Sequence, residues 1–421
     1  RTVHTGLLEY KNVYRPARVI SYEKESGELV LHNYMDFDNL KDYVKISYEL
    51  TQDGLLIGKG KLAEVSVVPH SEGKTNLQVN VPENGKCYLK LTYHLKKEMP
   101  LLEEDYILGF DEIEVSQKDA KCQLAEKWVE KTVTDSELQV SEDDTQIHIK
   151  GREFAYTIDR RTALFTEMKF AGREYLNHPM ELNIWRAPTD NDMYIKSEWK
   201  KAHYDKAYTR AYTTEVVQGK HGVKITSHAS VVAETVQKIL DVTITWKIEA
   251  AGKIDADIAV TKDDEFPDLP RFGVRMFLDK KLSAVRYFGM GPQESYCDKH
   301  QAASHGLYRA DVGDLHEDYI RPQENGSHYD CEYVELNNSR YGIVASAEKA
   351  FSFNASYYTQ EELEKKTHNY ELIESDSVVF CVDYALNGIG SNSCGPVVLE
   401  QYRFDDVLFR FQFTLIPYIK G

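Results

Sequence analysis

The chain has 421 residues, 42% of them hydrophobic and 28% charged, with a formal charge of −17 at pH 7. That length can bury large cores and suggests two or three domains. Nucleic acid and membrane are both excluded as partners, because basic stripes are missing and no apolar run approaches the roughly 18 residues of a spanning helix.

A soluble protein acting on a neutral substrate remains. Six cysteines (Cys87, Cys122, Cys297, Cys331, Cys381, Cys394) show no CxxC spacing and no histidine partner in a zinc pattern. They are too few to staple so long a chain, so a reduced, cytoplasmic compartment is expected. The 28 tyrosines suit half-buried strands and, secondarily, sugar stacking. The start, Arg1-Thr2-Val3-His4, has neither an initiator Met nor an apolar leader and reads as trimmed.

Residues 1–117 alternate like an antiparallel β domain. Segments 45–50 and 88–95 place apolar residues on one face at period two. Asp53-Gly54, Glu72-Gly73 and Glu83-Asn84-Gly85 are turn signals between such runs. The spacing predicts an immunoglobulin-like sandwich, ordinarily a spacer. Residues 118–140 are mixed and charged and read as a linker. From 141 to 421 strand signals continue, clearest at 147–149, 154–158, 242–248 and 408–413. Ser197 is expected to cap a helix presenting Ile195, Trp199 and Ala202, and Thr359 another over residues 360–366. Mostly strand with two short helices, residues 141–421 predict one large two-sheet sandwich in an all-β chain. No repeat of 20–50 residues supports a propeller.

Met180, Leu182 and Ile184 form an every-other-residue apolar row leading into Trp185-Arg186-Ala187-Pro188-Thr189-Asp190-Asn191-Asp192. Pro188 should end the strand. The four polar residues after it can order a loop through their side-chain oxygens, and Arg186 can hold one carboxylate bidentately. With Glu324 and Asn325 of Arg321-Pro322-Gln323-Glu324-Asn325-Gly326, residues Arg186, Asp190, Asn191 and Asp192 are candidates for docking on something outside this chain. These two motifs, with Phe288-Gly289-Met290-Gly291-Pro292-Gln293-Glu294-Ser295-Tyr296 between them, closely resemble the C-terminal region of the large bacterial β-galactosidases of the LacZ type. The resemblance runs from the first residues to the last. It implies that residues 141–421 form a β-supersandwich of the β-galactosidase small-chain type, shared with galactose mutarotases. It also makes residues 1–11 similar to the connector leaving the catalytic barrel, with Val3 and Thr5 where the family usually has prolines.

Retaining glycoside hydrolysis needs two carboxyls roughly 5 Å apart. In the resembling family the acid/base follows an asparagine, and this chain has no Asn-Glu dipeptide. The family's carboxylates sit in a (β/α)₈ barrel of roughly 250 residues, whose strand–helix alternation is not seen here. No catalytic residue is therefore expected in this chain, and the chain alone should be inactive. Gly289-Met290-Gly291-Pro292 is not a nucleotide fingerprint, since the sixth position is Glu294 and the proline breaks the helix start. A tight strand-to-loop turn with glycine at positive φ is expected instead. Asp190 and Asp192 lack the rest of a calcium loop, so no metal is assigned. His316 with Glu317 and Asp318, or His328 with Asp330, are the candidate acid/base pairs for a mutarotase-like reaction. The first pair is weakened because strand neighbours face opposite ways.

Three glycines and a proline in residues 387–396 describe a tight exposed loop. The resemblance implies that this loop reaches over the barrel mouth and joins the aglycone subsite through Asn392, Ser393 and Cys394. Several family members carry a tryptophan there, on a loop one residue longer, which stacks on sugar. Cys394 either lines that subsite with little stacking or is a small buried hydrophobe. The chain thus reads as the C-terminal, non-catalytic part of a β-galactosidase acting with retention on terminal β-D-galactosides such as lactose. Its implied partners are the preceding catalytic barrel, the β-galactoside and further copies in a homo-oligomer, with Mg²⁺ and Na⁺ bound in the missing part. A free-standing carbohydrate-binding module and a mutarotase-like epimerase are the rival classes.

Overall fold

A computed structural model describes residues 3–124, 138–390 and 393–420. It divides into two compact units: residues 1–123 with 290–293 and 300–308, and the remainder from 124 onward.

In the first unit, Ala17–Glu23, Glu28–Asn33 and Glu72–Asn76 form one antiparallel sheet. Leu55–Lys61, Val44–Gln52, Cys87–Leu95 and Ile107–Glu114 form the other. Period-two alternation drives this: Leu89, Leu91, Tyr93 and Leu95 are buried while Lys90, Thr92 and His94 are half-exposed. Across the sheet Leu91 pairs with Tyr48 and Leu89 with Leu50. Leu29 and Leu31 of the first sheet meet Ile46, Leu89 and Leu91 of the second in one core, giving the expected immunoglobulin-like sandwich. Asp53 and Gly54, with φ of 46° and 76°, make a two-residue hairpin between paired strands.

Two features differ from expectation. Glu72-Gly73 opens a strand rather than a turn, because a Cβ on Gly73 would lie 2.5 Å from Val67 Cγ2. Thr5–Val13 is a helix whose buried residues are Thr5 and Asn12, so no apolar stripe announced it. Asn12 acts as a substitute strand partner: its Oδ1 accepts from the Phe110 amide at 2.7 Å and its Nδ2 donates to the Phe110 carbonyl at 3.2 Å. Of the expected linker 118–140, residues 125–137 lie outside the described residues.

The second unit is a supersandwich. Its smaller sheet runs Arg173–Glu174, Leu164–Phe170, Phe154–Asp159, Gln146–Lys150, Gln139–Glu142. The larger sheet runs, in order, through Leu176–Asn183, Arg271–Asp279, Ser377–Leu386, Tyr341–Ser356, Leu408–Ile419, Ile254–Lys262, Leu240–Glu249, Gly222–Val232 and Tyr208–Gln218. Trp246, fully buried on the large sheet, packs edge-on against Phe165 of the small sheet at 4.9 Å and donates its indole N–H to the Ala163 carbonyl. The long strand Tyr341–Ser356 forks the large sheet. Its residues 341–346 pair with Leu408–Ile419 and its residues 352–356 with Ser377–Leu386.

Thr359 caps Gln360–Lys365 as expected, its hydroxyl accepting from the Glu362 amide at 3.1 Å. Ser197 does not cap. The helix Ile195–Lys201 starts two residues earlier, and the Ser197 hydroxyl bonds back to the Tyr194 carbonyl at 2.8 Å. Trp199 and Ala202 are buried as the spacing implied. Gly289 lies inside the strand Ala284–Gly291 and not at positive φ. A Cβ there would meet Cys331 Sγ at 2.2 Å, so close approach, not a turn, requires the glycine. No helix among the described residues is long and apolar enough to cross a membrane.

Candidate functional site

Residues of the segments singled out in the sequence meet within the second unit. Met180, Leu182 and Ile184 are buried, and after them the backbone enters the 185–192 loop. Arg186 is fully buried, and its fork is divided rather than bidentate on a carboxylate. One Nη donates to Asp192 Oδ1 at 2.8 Å, and the other donates to the Asn387 carbonyl at 2.6 Å. The second oxygen of Asp192 accepts from the amide (2.8 Å) and hydroxyl (3.0 Å) of Thr189, closing a capping box over the single turn Asp190–Asp192. Asp192 is thus fully engaged as a structural carboxylate. The Arg186 guanidinium also lies 5.3 Å from the Trp199 ring centroid.

The other two motifs dock beside it. The Glu324 amide donates to the Ala187 carbonyl at 3.0 Å, and the Ser295 amide to the Ser327 carbonyl at 2.7 Å. Asn325 accepts from the Glu317 amide. Glu324 faces Arg271, whose Nη2 and Nε hold Asp383 at 2.7 and 3.2 Å, and all three are buried. Burial pushes the Glu324 carboxyl above its ordinary range although Arg271 opposes this. Burial also works against the Arg271 charge, but Asp383 and Glu324 outweigh it and hold the guanidinium protonated. Of the six docking candidates, Arg186, Asp192, Glu324 and Asn325 therefore turn inward, spent on the unit's own framework. Asn191 is half-buried and Asp190 exposed. Asp190 lines an open pocket of about 620 Å³ with Lys196, Lys200, Lys201 and Arg321.

Glu294 completes the junction. One of its oxygens takes Lys299 Nζ and the Tyr319 hydroxyl, and the other accepts from the Gly326 amide at 2.8 Å. Burial opposes ionisation, but Lys299, Tyr319 and that amide outweigh it, so the carboxyl sits below its ordinary value. A carboxyl depressed in the fold contributes stability above the unfolded pKa of about 4.3 and loses it as pH falls through the folded value. Glu294→Gln should cost about 1–3 kcal/mol at pH 7 and flatten the acid limb of stability. Urea midpoints measured from pH 7 to pH 3 read both effects.

The 387–396 loop is gripped at its base. Arg186 holds the Asn387 carbonyl, Asn191 Nδ2 donates to the Ile389 carbonyl at 2.7 Å, and Asp298 accepts from the Ile389 and Gly390 amides at 3.0 and 2.7 Å. Ile389 packs with Tyr296 and Leu386. A Cβ on Gly388 would lie 2.7 Å from Asp298 Oδ2, which explains that glycine. Asn392 lies outside the described residues, Ser393 is half-buried, and Cys394 is a free thiol exposed in this chain. Asp298, Arg271 and Asp383 were missed in the sequence. Asp383 sits within the long apolar run 378–386, where a lone charge signals a buried pair.

Both histidines of the His/carboxylate candidates sit against aromatic rings. His316 sits against the Tyr358 ring at 4.9 Å and burial lowers its pKa, while Asp318 accepts from Asn369. His328 is buried between Tyr287 and Phe353.

Known proteins are similar to this chain in sequence. A family model described as "Beta galactosidase small chain" matches residues 150–415, and one described as "Beta-galactosidase, domain 4" matches residues 29–116. The β-galactosidase of Actinobacillus pleuropneumoniae is 42% identical over 418 residues, covering 99% of this chain and 40% of that protein. The β-galactosidase of Staphylococcus xylosus is 30% identical over 421 residues, covering 99% and 41%. The chain therefore spans about 40% of the length of these relatives. Among solved structures, a galactose 1-epimerase from Lactobacillus acidophilus NCFM aligns with a TM-score of 0.35 and 9% identity, over 69% of this chain and 100% of that one. On the family match to residues 150–415, this chain belongs to the β-galactosidases and corresponds to their C-terminal region.

Proposed function

We propose that these residues are the non-catalytic C-terminal part of a retaining β-galactosidase that hydrolyses terminal β-D-galactosides such as lactose. The observation that carries the reading is the junction itself. Arg186 and Asn191 of the 185–192 segment, with Asp298 from a distant part of the chain, grip the base of the 387–396 loop and leave Cys394 exposed beyond it. A loop on a rigid footing suits a wall of the active-site mouth. Joined to the preceding catalytic barrel, Ser393 and Cys394, with Asn392, border the aglycone. Magnesium and sodium belong with that preceding part. The exposed faces also supply contacts between copies of the full enzyme.

A thiol offers no flat face to a leaving glucose. Cys394→Trp in the full-length enzyme should therefore raise transfer of galactose to added glucose roughly 2- to 10-fold over transfer to water. Product ratios from lactose measure this. The chain alone should not turn over a chromogenic β-galactoside, and its full-length parent should. Enzyme-like turnover by the chain alone would place catalytic groups inside it and sink the reading.

A further inference from the structure

We propose that the second unit holds a binding site for a neutral pyranoside in the pocket where its large sheet forks. Residues 341–346 of the long strand pair with Leu408–Ile419 and residues 352–356 with Ser377–Leu386, so the two partner strands part company around residues 347–351. A pocket of about 500 Å³ opens in that gap. This lies within the roughly 300–1,000 Å³ typical of small-molecule sites.

Its lining selects the ligand class. The carboxylates Asp330, Glu348 and Asp406 stand among the cations Lys349, Arg403 and Arg410, and Asp257 already pairs with Arg410, so the pocket offers no positive field that would draw in a phosphate. Aromatic rings are abundant: Tyr329, Tyr384, Tyr402, Phe404 and Phe411 all contribute. Tyr384 is held in place, stacked on Phe409 at 4.8 Å with 15° between the planes. Burial raises the Tyr384 and Tyr329 hydroxyls above their ordinary range, which keeps both protonated as donors. Arg410 is anchored by Asp257 through two nitrogens. Flat rings beside carboxylates, hydroxyls and a fixed guanidinium match the C–H face and hydroxyl rim of a pyranose.

The backbone is shaped for the same purpose. Asp330 has a φ of 53°, and register is lost there between His328 and Cys331. A bulge of this kind redirects a side chain, and left-handed non-glycine residues concentrate at binding sites. The pocket roof is tied to the 387–396 loop: the Phe404 amide donates to Asn387 Oδ1 at 2.9 Å and the Gly388 amide to the Tyr402 carbonyl at 2.8 Å. No described residue of the loop tip lines the pocket.

Methyl β-D-galactoside and methyl β-D-glucoside are titrated into the chain, with saturation-transfer NMR and calorimetry as readouts. Inorganic phosphate is added as competitor. Millimolar binding of a pyranoside is expected, weakened about tenfold by Tyr402→Ala and by Asp330→Asn, unchanged by Cys394→Ala and not displaced by phosphate. Circular dichroism verifies that each variant is folded, and two variants from different elements guard against one that fails. Absence of binding to both glycosides overturns the proposal, as does displacement by phosphate. Binding lost in Cys394→Ala but kept in both pocket variants also overturns it, by moving the sugar to the loop tip in favour of the function proposed above. Failure here leaves the β-galactoside turnover test of the full-length enzyme untouched.

Discussion

Arg271→Ala should lower the unfolding free energy by about 3–5 kcal/mol, the usual cost of leaving a buried charge without its partner. Asp383 depends on this one guanidinium and Glu324 on it more than on Arg186, and neither has access to bulk water. In the variant both should take up protons to escape the uncompensated charge. Their folded pKa values then rise further above the unfolded values of about 4. An acid with a raised folded pKa contributes stability below its unfolded value and loses it as pH rises through the folded one. The deficit should accordingly be largest at neutral pH and shrink towards pH 4. Urea unfolding at several pH values tests both the size and the slope. A deficit that does not change with pH would contradict the assignment of Arg271 as the main counter-charge of the pair. Replacing all three together by apolar residues of similar volume should recover most of the loss, because a buried ion cluster gains little over good packing.

Arg186→Ala should cost a similar amount, about 3–5 kcal/mol, for a related reason: Asp192 stays buried with its cation gone. Its distinctive effect is on the loop. The fork also fixes the Asn387 and Gly388 carbonyls, so amide exchange at Ile389 and Gly390 should accelerate well beyond the change at the Trp246 strand. Hydrogen exchange read by mass spectrometry over residues 387–396 distinguishes this from uniform loosening. Equal acceleration everywhere would show that Arg186 merely stabilises the unit and does not position the loop.

Much of the architecture was legible because strand burial has a period of two and the segments obey it. The rows at Tyr88–Leu95 and Leu240–Glu249 needed no tertiary information. What failed to show was governed by contacts between distant segments. Gly73 and Gly289 looked like turn residues, yet each is demanded by a neighbour, Val67 and Cys331, brought close only by folding. The helix Thr5–Val13 buries a threonine and an asparagine, so no apolar period betrayed it. The octapeptide 185–192 reads as an ordered loop and is one, but its direction is not legible. Whether Arg186 faces outward or inward depends on carbonyls some 200 residues later. Asp298 is invisible for the same reason, since its partners are main-chain amides with no sequence signature.

The clamps at Asn387, Gly388, Ile389 and Gly390 all seize peptide groups. Whatever side chains follow at the apex inherit a fixed perch without having to help build it. Mutation can therefore exchange or lengthen the apex while the footing beneath stays indifferent, and under the function proposed above such a change would alter which alcohol accepts the sugar.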